Sequence, residues 1–297
     1  MTPFFSVIIP TYNRAHLIDK TLESLVSQEF KDFEIIVVDD GGTDNTKEVV
    51  EEFKDNRIKY YWKENAERGA ARNFGASKAN GKYLNFFDSD DLAYPQHLLI
   101  AKKIIEGNNT HDVFHLGYDI SSPSGDLIKK NNHVGNSAFK ELLKCSYLSI
   151  NSVFLKYEIW NEIRFNEDRK LVIAEDWHFY LKLAVRYDWV SFDENVTSCI
   201  VQHTSRSMNS TSGDACLASA NIFKKSLEED NLFSEKLSTT QKKRIFAEPI
   251  SVAALRYAVE KKKIQSIKIL TKAAILNYKT LFTKRTLAII KHLLFNW

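Results

Sequence analysis

Cysteine is scarce in this chain of 297 residues, which contains only Cys145, Cys199 and Cys216. The number is odd and no pair has CxxC spacing, so the sequence argues against a disulfide framework and against a zinc knuckle. Unpaired cysteines are typical of proteins that work in a reducing cytosol. We therefore expect a cytoplasmic protein.

Long hydrophobic segments are also missing, because no stretch reaches the roughly 18 apolar residues that a membrane-spanning helix needs. The apolar run of residues 4–9 has no basic region before it and ends at Pro10, so it predicts a first strand and not a signal peptide. The chain shows no internal repeat and no low-complexity linker. It also lacks a GxGxxG loop, which argues against a nicotinamide or flavin site. We expect a protein that is soluble or peripherally attached to a membrane.

Charge is distributed unevenly, although the net charge of the whole chain is only +3. Residues 216–297 contain 16 Lys/Arg and 6 Asp/Glu, a net charge of +10, whereas residues 1–215 contain 25 Lys/Arg and 32 Asp/Glu, a net charge of −7. An acidic body with a basic tail suggests an anionic partner. The hydrophobic content of 44% allows a sizeable core, in one large α/β domain with an appendage or in two modest domains.

The N-terminal part of the chain alternates strand and helix patterns. The apolar run at residues 6–10 is of the kind that a parallel sheet buries on both faces, and residues 33–38 predict a second buried strand. Residues 58–62 and 82–87 predict a third and a fourth strand. Helical spacing predicts three helices between and after them: one N-capped by Asn13, one over residues 69–80 and one over residues 95–107. This alternation indicates a doubly wound α/β sheet, in which ligands bind outside the carboxyl ends of the strands.

The remainder of the chain is mixed and then helical. A hairpin turn is predicted at residues 122–125 (SPSG). Residues 175–187 have the apolar spacing of an amphipathic helix. From about Gly213 onward the pattern is helical throughout.

Acidic residues gather directly after two of the predicted strands. Asp39 and Asp40 precede two glycines after the second strand, and Asp88, Asp90 and Asp91 follow the fourth. A carboxylate after the second strand can accept a hydrogen bond from a nucleobase, while glycines let the backbone approach a ligand. Three carboxylates in four residues are unfavourable unless a cation lies among them, and Mg²⁺ or Mn²⁺ commonly links carboxylates to substrate phosphates. The fourth strand end therefore predicts a diphosphate–metal site.

Three further segments allow both a structural and a functional interpretation. Arg68 and Arg72 suit a solvated helix face, and equally an approach to phosphate or to the acidic cluster. Glu175 and Asp176 suit the first turn of a helix, where acids complement the dipole and often have no other role; the alternative is a general base that deprotonates a hydroxyl. His203 suits either a surface loop or a metal shell. Taken alone, these segments leave both interpretations open.

Taken in order, six segments resemble those of family 2 glycosyltransferases: SVIIPTYNR, VVDDGGTDNT, ENAERGAARNFG, NFFDSDD, AEDWHFYLKL and QHTSRS. The ordered set spans roughly the first 210 residues and is more specific than any one segment. The resemblance implies a GT-A fold, which is a Rossmann-like, doubly wound mixed α/β sheet, with a C-terminal helical extension. It divides the chain into a nucleotide-sugar-binding half, an acceptor-binding and catalytic-base half of the same domain, and a basic helical region: residues 1–110, 111–212 and 213–297.

The resemblance also implies roles for individual residues. Pro10, Thr11 and Tyr12 would line the nucleobase pocket, and Asp40 would accept a hydrogen bond from the base, expected to be uracil. The same resemblance assigns further residues to the nucleotide-sugar site: Arg14, Asn65, Arg72, Asp88, Ser89 and Glu175. It assigns a Mn²⁺ or Mg²⁺ ion to Asp90, Asp88 and His203, and the role of general base to Asp176.

Two positions depart from the family pattern. Gly42 stands where the family more often has serine, which is expected to remove one hydroxyl contact and leave the turn intact. Glu67 and Arg68 stand where many relatives carry small residues. The second departure falls in the loop over the donor and leaves the sugar identity open.

The implied activity is transfer of a hexosyl or N-acetylhexosaminyl group from a UDP-sugar to an acceptor hydroxyl, with inversion in one metal-assisted displacement. The expected acceptor is a glycan or a lipid-linked oligosaccharide of cell-surface polysaccharide synthesis. One alternative is a non-catalytic nucleotide-sugar-binding paralogue, against which the retention of Asp88, Asp90 and Asp176 argues. Another is a sugar nucleotidyltransferase, which would need a glycine-rich basic loop after the first strand.

The basic tail, residues 249–297, contains 10 Lys/Arg and a single acid, Glu260. Its last stretch interleaves apolar residues with basic ones and ends in Trp297. A basic amphipathic helix of this kind suits an anionic bilayer, which would place the protein on the cytoplasmic face of the inner membrane. The alternative is a helix packed on the catalytic domain with a solvated basic face. No nucleic acid is expected, because no stacking module or recognised motif accompanies the charge.

Overall fold

The structure, a computed structural model, describes residues 2–107, 111–131, 138–203 and 211–295. The strands in these ranges are β1 (Phe5–Thr11), β2 (Phe33–Asp40), β3 (Ile58–Lys63), β4 (Tyr83–Phe86), β5 (Leu92–Ala93), β6 (Val113–Ser121), β7 (Leu127–Asn131), β8 (Val153–Lys156) and β9 (Trp189–Val201). Two predictions concern residues outside these described ranges: Trp297 and residues 204–207 of the QHTSRS segment.

The helices in the same ranges are α1 (Ala15–Val26), α2 (Thr46–Glu52), α3 (Glu67–Ser77), α4 (His97–Ile105), α5 (Ala138–Leu142), α6 (Tyr157–Glu162), α7 (Glu175–Ala184), α8 (Gly213–Glu228), α9 (Asn231–Lys236), α10 (Thr239–Val259), α11 (Lys263–Leu276) and α12 (Lys284–Leu294). Short 3₁₀ turns occur at Ile150–Ser152 and Tyr278–Phe282. Among the residues described, no helix is both long and apolar enough to cross a bilayer.

The backbone packs as two compact units. The first unit comprises Met1–Ala138, Leu148–Glu167 and Tyr187–His203 and holds the whole sheet. The second unit comprises Phe139–Tyr147, Asp168–Arg186 and Thr204–Trp297, and it is built from helices.

The sheet of the first unit has the strand order β3-β2-β1-β4-β8-β6-β9-β5, with β7 paired to β6. Strands β1 to β4 pair in parallel, whereas β8 runs antiparallel to both β4 and β6. This mixed α/β sheet confirms the predicted fold class. Because β1, β2 and β4 are parallel, their carboxyl ends meet at one edge, where Thr11 lies beside Asp39. Residues that follow these strands are thereby gathered at one place.

Burial explains why the first strands could be identified from their sequence. Every residue of β1 and of β2 is buried, as expected for strands covered on both faces. On α1 the buried apolar residues are Ile18, Leu22 and Leu25, at the spacing that the sequence predicts. The hairpin turn is also confirmed, because Ser122 N donates to Asp126 O over 2.9 Å. From Gly213 to Phe295 the chain is predominantly helical, as predicted.

The structure corrects two predicted helix starts. Helix α1 begins at Ala15 with Arg14 at the N-cap, so Asn13 is not its cap. Asn13 instead has a left-handed φ of 51°, and its Oδ1 accepts a hydrogen bond from Thr43 N at 2.8 Å, which ties two loops at the sheet edge. Asparagine tolerates this conformation better than most residues, so a turn competes with a cap at this position. Helix α3 spans Glu67–Ser77 and not residues 69–80.

Two buried histidines give the fold a pH dependence. His97 is fully buried on α4, with Nδ1 2.8 Å from Thr197 Oγ1 and Nε2 3.2 Å from Asn85 Oδ1. Burial lowers the pKa of His97 to about 3, and burial likewise lowers the pKa of His178 on α7 to about 3. Both values lie below the ordinary pKa of about 6.5, so the unfolded chain takes up protons first as the pH falls.

We expect stability to fall as the pH drops from about 6.5 toward 3, by up to about 1.4 kcal/mol per pH unit for each of these histidines. Urea unfolding at pH 7 and pH 5 of the wild type and of His97→Gln measures the contribution of His97. The variant should lose less free energy of unfolding between the two pH values than the wild type. An equal loss in both proteins would contradict the assignment.

Candidate active site

The acidic turn after β4 is fixed by contacts that distinguish its three aspartates. Asp88, Asp90 and Asp91 each present a carboxylate oxygen within 4.8 Å of the others. Asp91 is only 1% exposed, and it accepts hydrogen bonds from Asn151 Nδ2 at 2.8 Å and Val201 N at 2.9 Å. Asn151 Oδ1 also accepts from Asp88 N at 2.8 Å. Asp91 and Asn151 therefore hold the turn in place, and Asp88 and Asp90 remain half-buried at its surface.

Basic side chains lie against both of the half-buried carboxylates. Arg72 Nη2 is 2.9 Å from Asp88 Oδ1, and its buried guanidinium lies over the Phe165 ring, 5.4 Å from the ring centroid. His203 Nε2 is 2.9 Å from Asp90 Oδ2, and Arg14 Nη1 is 4.0 Å from the same oxygen. The structure thus brings these five predicted site residues together. The positive charges of Arg14 and Arg72 offset part of the repulsion between the two carboxylates.

The donor atoms of this cluster fit a divalent cation. Asp88 and Asp90 offer carboxylate oxygens, which Mg²⁺ and Mn²⁺ prefer, and His203 Nε2 lies beside one of them. Asp91 offers both of its oxygens to Asn151 and to Val201 N, so its part is to shape the turn. One or two carboxylates are the usual protein ligands of a Mg²⁺ ion that also binds substrate phosphates. The basic side chains beside Asp88 and Asp90 are compatible with such a site.

The end of β2 forms the second half of the site. Asp40 is buried, and its Oδ1 accepts hydrogen bonds from Lys63 Nζ at 2.7 Å and from Ala66 N at 3.0 Å. Asn65 Nδ2 donates to the backbone oxygen of Asp40 over 2.8 Å. Gly41, at φ 82°, lies so close to Asn65 that a Cβ would stand 2.7 Å from its backbone nitrogen. A carboxylate has about four acceptor positions, so Asp40 retains capacity for a ligand N–H.

Asp39 has a different role from its neighbour. Its Oδ1 accepts from Gly42 N at 2.8 Å and its Oδ2 from Tyr60 Oη at 2.7 Å. A Cβ at position 42 would lie 2.6 Å from Asp39 Oδ1. The absence of a side chain at Gly42 therefore allows the Asp39 carboxylate to lie against the turn and accept a hydrogen bond from Gly42 N. The sequence alone does not predict this contact.

The residues that follow β1 complete the first-unit site. Thr11 is buried, and in the described part of the chain its Oγ1 has no hydrogen-bond partner. Tyr12, by contrast, is 52% exposed and lies next to it in the chain. Pro10 pairs in register with Val38, and Ser89 is buried in the turn after β4. A buried hydroxyl with an exposed aromatic ring beside it can supply polar and stacking contacts to a planar ligand.

Glu175 and Asp176 lie in the second unit, at the start of α7. Ala174 precedes the helix with a left-handed φ of 59°, which turns the chain sharply into it. Glu175 is buried, whereas Asp176 is half-buried and its Oδ1 accepts from Trp177 N at 2.6 Å. Trp177 Nε1 donates to Leu142 O over 2.9 Å and fixes the helix start. The two acids are thus positioned on a rigid element, while the other predicted site residues lie in the first unit.

Two residues of the site were not predicted. Lys63 on β3 lies opposite Asp40 on β2, so the register of these two strands would have predicted its contact with Asp40. Asn151 lies in a 3₁₀ turn and is distant in sequence from the aspartates that it holds. No local pattern marks that position.

The sequence of the chain is similar to those of known glycosyltransferases. The sequence model described as "Glycosyl transferase family 2" matches residues 6–180. A Rickettsia felis protein named "Uncharacterized glycosyltransferase" is 32% identical over 196 residues, which cover 65% of this chain and 32% of that protein. The Campylobacter jejuni "GalNAc(5)-diNAcBac-PP-undecaprenol beta-1,3-glucosyltransferase" is 35% identical over 176 residues, 56% of each chain. The chain spans about a third or less of the first curated relatives that it matches.

Solved structures share the fold. S. aureus TarS 1–349 in complex with UDP-GlcNAc aligns with a TM-score of 0.68 at 21% identity, covering 98% of this chain and 89% of that one. A mannosyltransferase, PcManGT from Pyrobaculum calidifontis in complex with GDP-Man and Mn²⁺, aligns with a TM-score of 0.59 at 18% identity, covering 100% and 88%. At these identities the likeness concerns the fold.

Proposed function

The chain belongs to glycosyl transferase family 2, and on that premise we propose that it transfers a sugar from a UDP-sugar to an acceptor hydroxyl, with inversion at the anomeric carbon. The observation that carries the proposal is the pair Asp88 and Asp90, flanked by Arg14, Arg72 and His203 at the carboxyl edge of the sheet. This is an arrangement suited to holding a diphosphate and its cation.

Recognition of the nucleotide is assigned to the ends of β1 and β2. Asp40, oriented by Lys63 and Ala66 N, accepts a hydrogen bond from a base that carries an N–H on its pairing edge. Uracil N3–H meets this requirement, and so does guanine N1–H. The UDP-GlcNAc complex of TarS supports uracil, and the GDP-Man complex of PcManGT marks guanine as the competing base. Pro10, Thr11 and Tyr12 are assigned to the pocket around the base, where the exposed Tyr12 ring could stack on it and the Thr11 hydroxyl could form a hydrogen bond.

The diphosphate is assigned to the turn after β4. Asp88, Asp90 and His203 would hold Mn²⁺ or Mg²⁺, which would supply positive charge for the leaving diphosphate. Arg72 orients Asp88 through its ion pair, and Arg14 adds positive charge beside Asp90. Because these side chains are already in position, they need no reorganisation when negative charge develops on the leaving diphosphate.

The transfer step is assigned to Asp176 as general base. The acceptor oxygen attacks the anomeric carbon, its proton passes to the Asp176 carboxylate, and the bond from carbon to the diphosphate oxygen breaks. One displacement of this kind inverts the configuration. Glu175, next to Asp176 on α7, is assigned to the sugar or the acceptor. The acceptor class is proposed to be a glycan or lipid-linked oligosaccharide, and the undecaprenol-linked glycan in the name of the Campylobacter jejuni relative supports this class.

A donor panel tests the proposal directly. UDP-, GDP- and dTDP-sugars are incubated with the protein, with Mn²⁺ or Mg²⁺ and with a chelator, and nucleoside diphosphate release and product anomers are measured. We expect release from a UDP-sugar only with a divalent ion, and an inverted product. A response confined to GDP-sugars would correct the base, and a retained anomer would exclude the single displacement. Pyrophosphate release from UTP and a sugar phosphate would favour nucleotidyl transfer instead.

A further inference from the structure

Helix α11 has two apolar faces. One contains the buried residues Ile269 and Ala273, which pack in the core of the second unit together with residues of α10. The other contains Ile264, Ile267 and Ile275, which are 81%, 54% and 77% exposed. At about 100° per residue these three side chains share one side of the helix, opposite the buried face. The outward stripe therefore makes no contribution to the core.

The 3₁₀ turn and helix α12 continue this pattern. Phe282 is 83% exposed, and Leu287 and Leu294 share the outward side of α12, while Ile289 is buried against α10. Arg285 Nη1 donates over 2.5 Å to Glu248 Oε2 and to the hydroxyl of a serine on α10, which fixes α12 to the unit. The exposed apolar residues thus belong to a docked helix, and their exposure follows from how that helix packs.

The charged residues within this segment of the sequence all have one sign. Residues 261–295 contain nine Lys/Arg and no Asp or Glu. Lys268 and Lys272 are exposed on α11, one turn apart at the border of its apolar stripe. Lys279 and Lys284 are exposed on either side of Phe282. Acids that lie beside the segment, Asp214 and Glu260, pair with Lys262. Apolar residues with exposed lysines at their border form a surface suited to an anionic partner with an apolar interior.

A bilayer with anionic headgroups meets both requirements. A second copy of this chain would bring two such basic surfaces together, and the like charges would repel each other. Nucleic acid would pair with the lysines but offers no apolar layer for Ile264, Ile275 and Phe282. We propose that α11, the 3₁₀ turn and α12 form the surface with which the protein docks on anionic lipid, its isoleucine, leucine and phenylalanine side chains lying at the boundary of headgroups and acyl chains.

Vesicle flotation tests this surface without any nucleotide sugar, so its outcome is independent of the proposed activity. The full chain is mixed with phosphatidylcholine vesicles that contain or lack phosphatidylglycerol. We expect the wild type to float with the anionic vesicles only, and the floating fraction to fall as salt is raised. Ile264→Ser/Ile275→Ser and Lys268→Gln/Lys272→Gln should each weaken binding by about tenfold or more.

Matched controls come from strand β7 of the first unit. Ile128→Ser removes an isoleucine that is 54% exposed, and Lys129→Gln/Lys130→Gln removes two exposed lysines. Both controls should float like the wild type. Absence of wild-type flotation, undiminished flotation of the two α11 variants, or equal binding to neutral vesicles would each overturn the proposal. Dimerisation abolished by the Ile264/Ile275 variant in light scattering would show that a second copy is the occupant.

Discussion

Replacing Asp90 with asparagine is expected to lower turnover by roughly 10²–10³ while leaving the protein folded. Asp90 Oδ2 lies 2.9 Å from His203 Nε2 and 4.0 Å from Arg14 Nη1, and in the proposed function Asp90 would be a ligand of the cation. Asparagine keeps the shape of the side chain but removes the negative charge. Turnover with a UDP-sugar, together with the shift in melting temperature on addition of Mn²⁺, measures the effect. Asp90→Asn should lose most of that metal-dependent shift.

Two control substitutions show whether the effect of Asp90→Asn comes from the metal site or from a loss of stability. Asp91→Asn lies in the same cluster, but Asp91 accepts from Asn151 and Val201, so its variant should melt at a lower temperature even without metal. Asp126→Asn changes an exposed acid in the β6–β7 turn and should leave both turnover and melting unchanged. Wild-type turnover in Asp90→Asn, or an unaltered response to Mn²⁺, would remove Asp90 from the metal site.

The sequence was sufficient to predict the edge of the sheet at which the candidate site residues of the first unit gather. Strands β1 and β2 are buried on both faces, so their residues form continuous apolar runs, and such runs can be recognised locally. The acids that follow the strands can also be recognised locally, because the apolar run of a buried strand stops where charged residues begin. Parallel pairing then brings Thr11 beside Asp39 without any further information.

The division of roles among the aspartates could not be predicted in the same way. Asp88, Asp90 and Asp91 are chemically alike and adjacent in sequence, and only their distant partners separate them. Asn151 donates a hydrogen bond to Asp91, which stabilises the turn, and Arg72 on α3 pairs with Asp88. The same holds at β2, where Asp40 pairs with Lys63 from a neighbouring strand. Long-range contacts of this kind leave no periodic trace in the sequence.

The outward stripe of α11 could not be singled out for a different reason. The sequence predicts a surface for an anionic membrane within residues 249–297, a range that includes α11, but interleaved apolar and basic residues are most evident in its last stretch. On α11 the isoleucines occur on both sides of the helix, so its pattern is that of a buried helix until the position of α10 is known. Packing therefore decides which of two apolar faces is left for a partner.

Asp176→Asn is expected to retain donor binding and to lower transfer by at least about 10², because the acceptor hydroxyl then has no carboxylate to take its proton. The competing interpretation is that Asp176 only complements the dipole at the start of α7, a role worth about 0.3–1 kcal/mol of stability and nothing in turnover. Its Oδ1 accepts from Trp177 N, which either role allows. Turnover, donor affinity and melting temperature must therefore be measured together.

Asp214→Asn on α8 is the matched control, since Asp214 is also an acid in the first turn of a helix of the second unit. Its partners are Tyr257 and Lys262, which belong to the helical core and its surface. If the dipole were the whole role of Asp176, both variants would lose a little stability and keep wild-type turnover. A general base predicts a loss of turnover in Asp176→Asn alone, with UDP binding unchanged. Near-wild-type transfer by Asp176→Asn would assign the proton to another group.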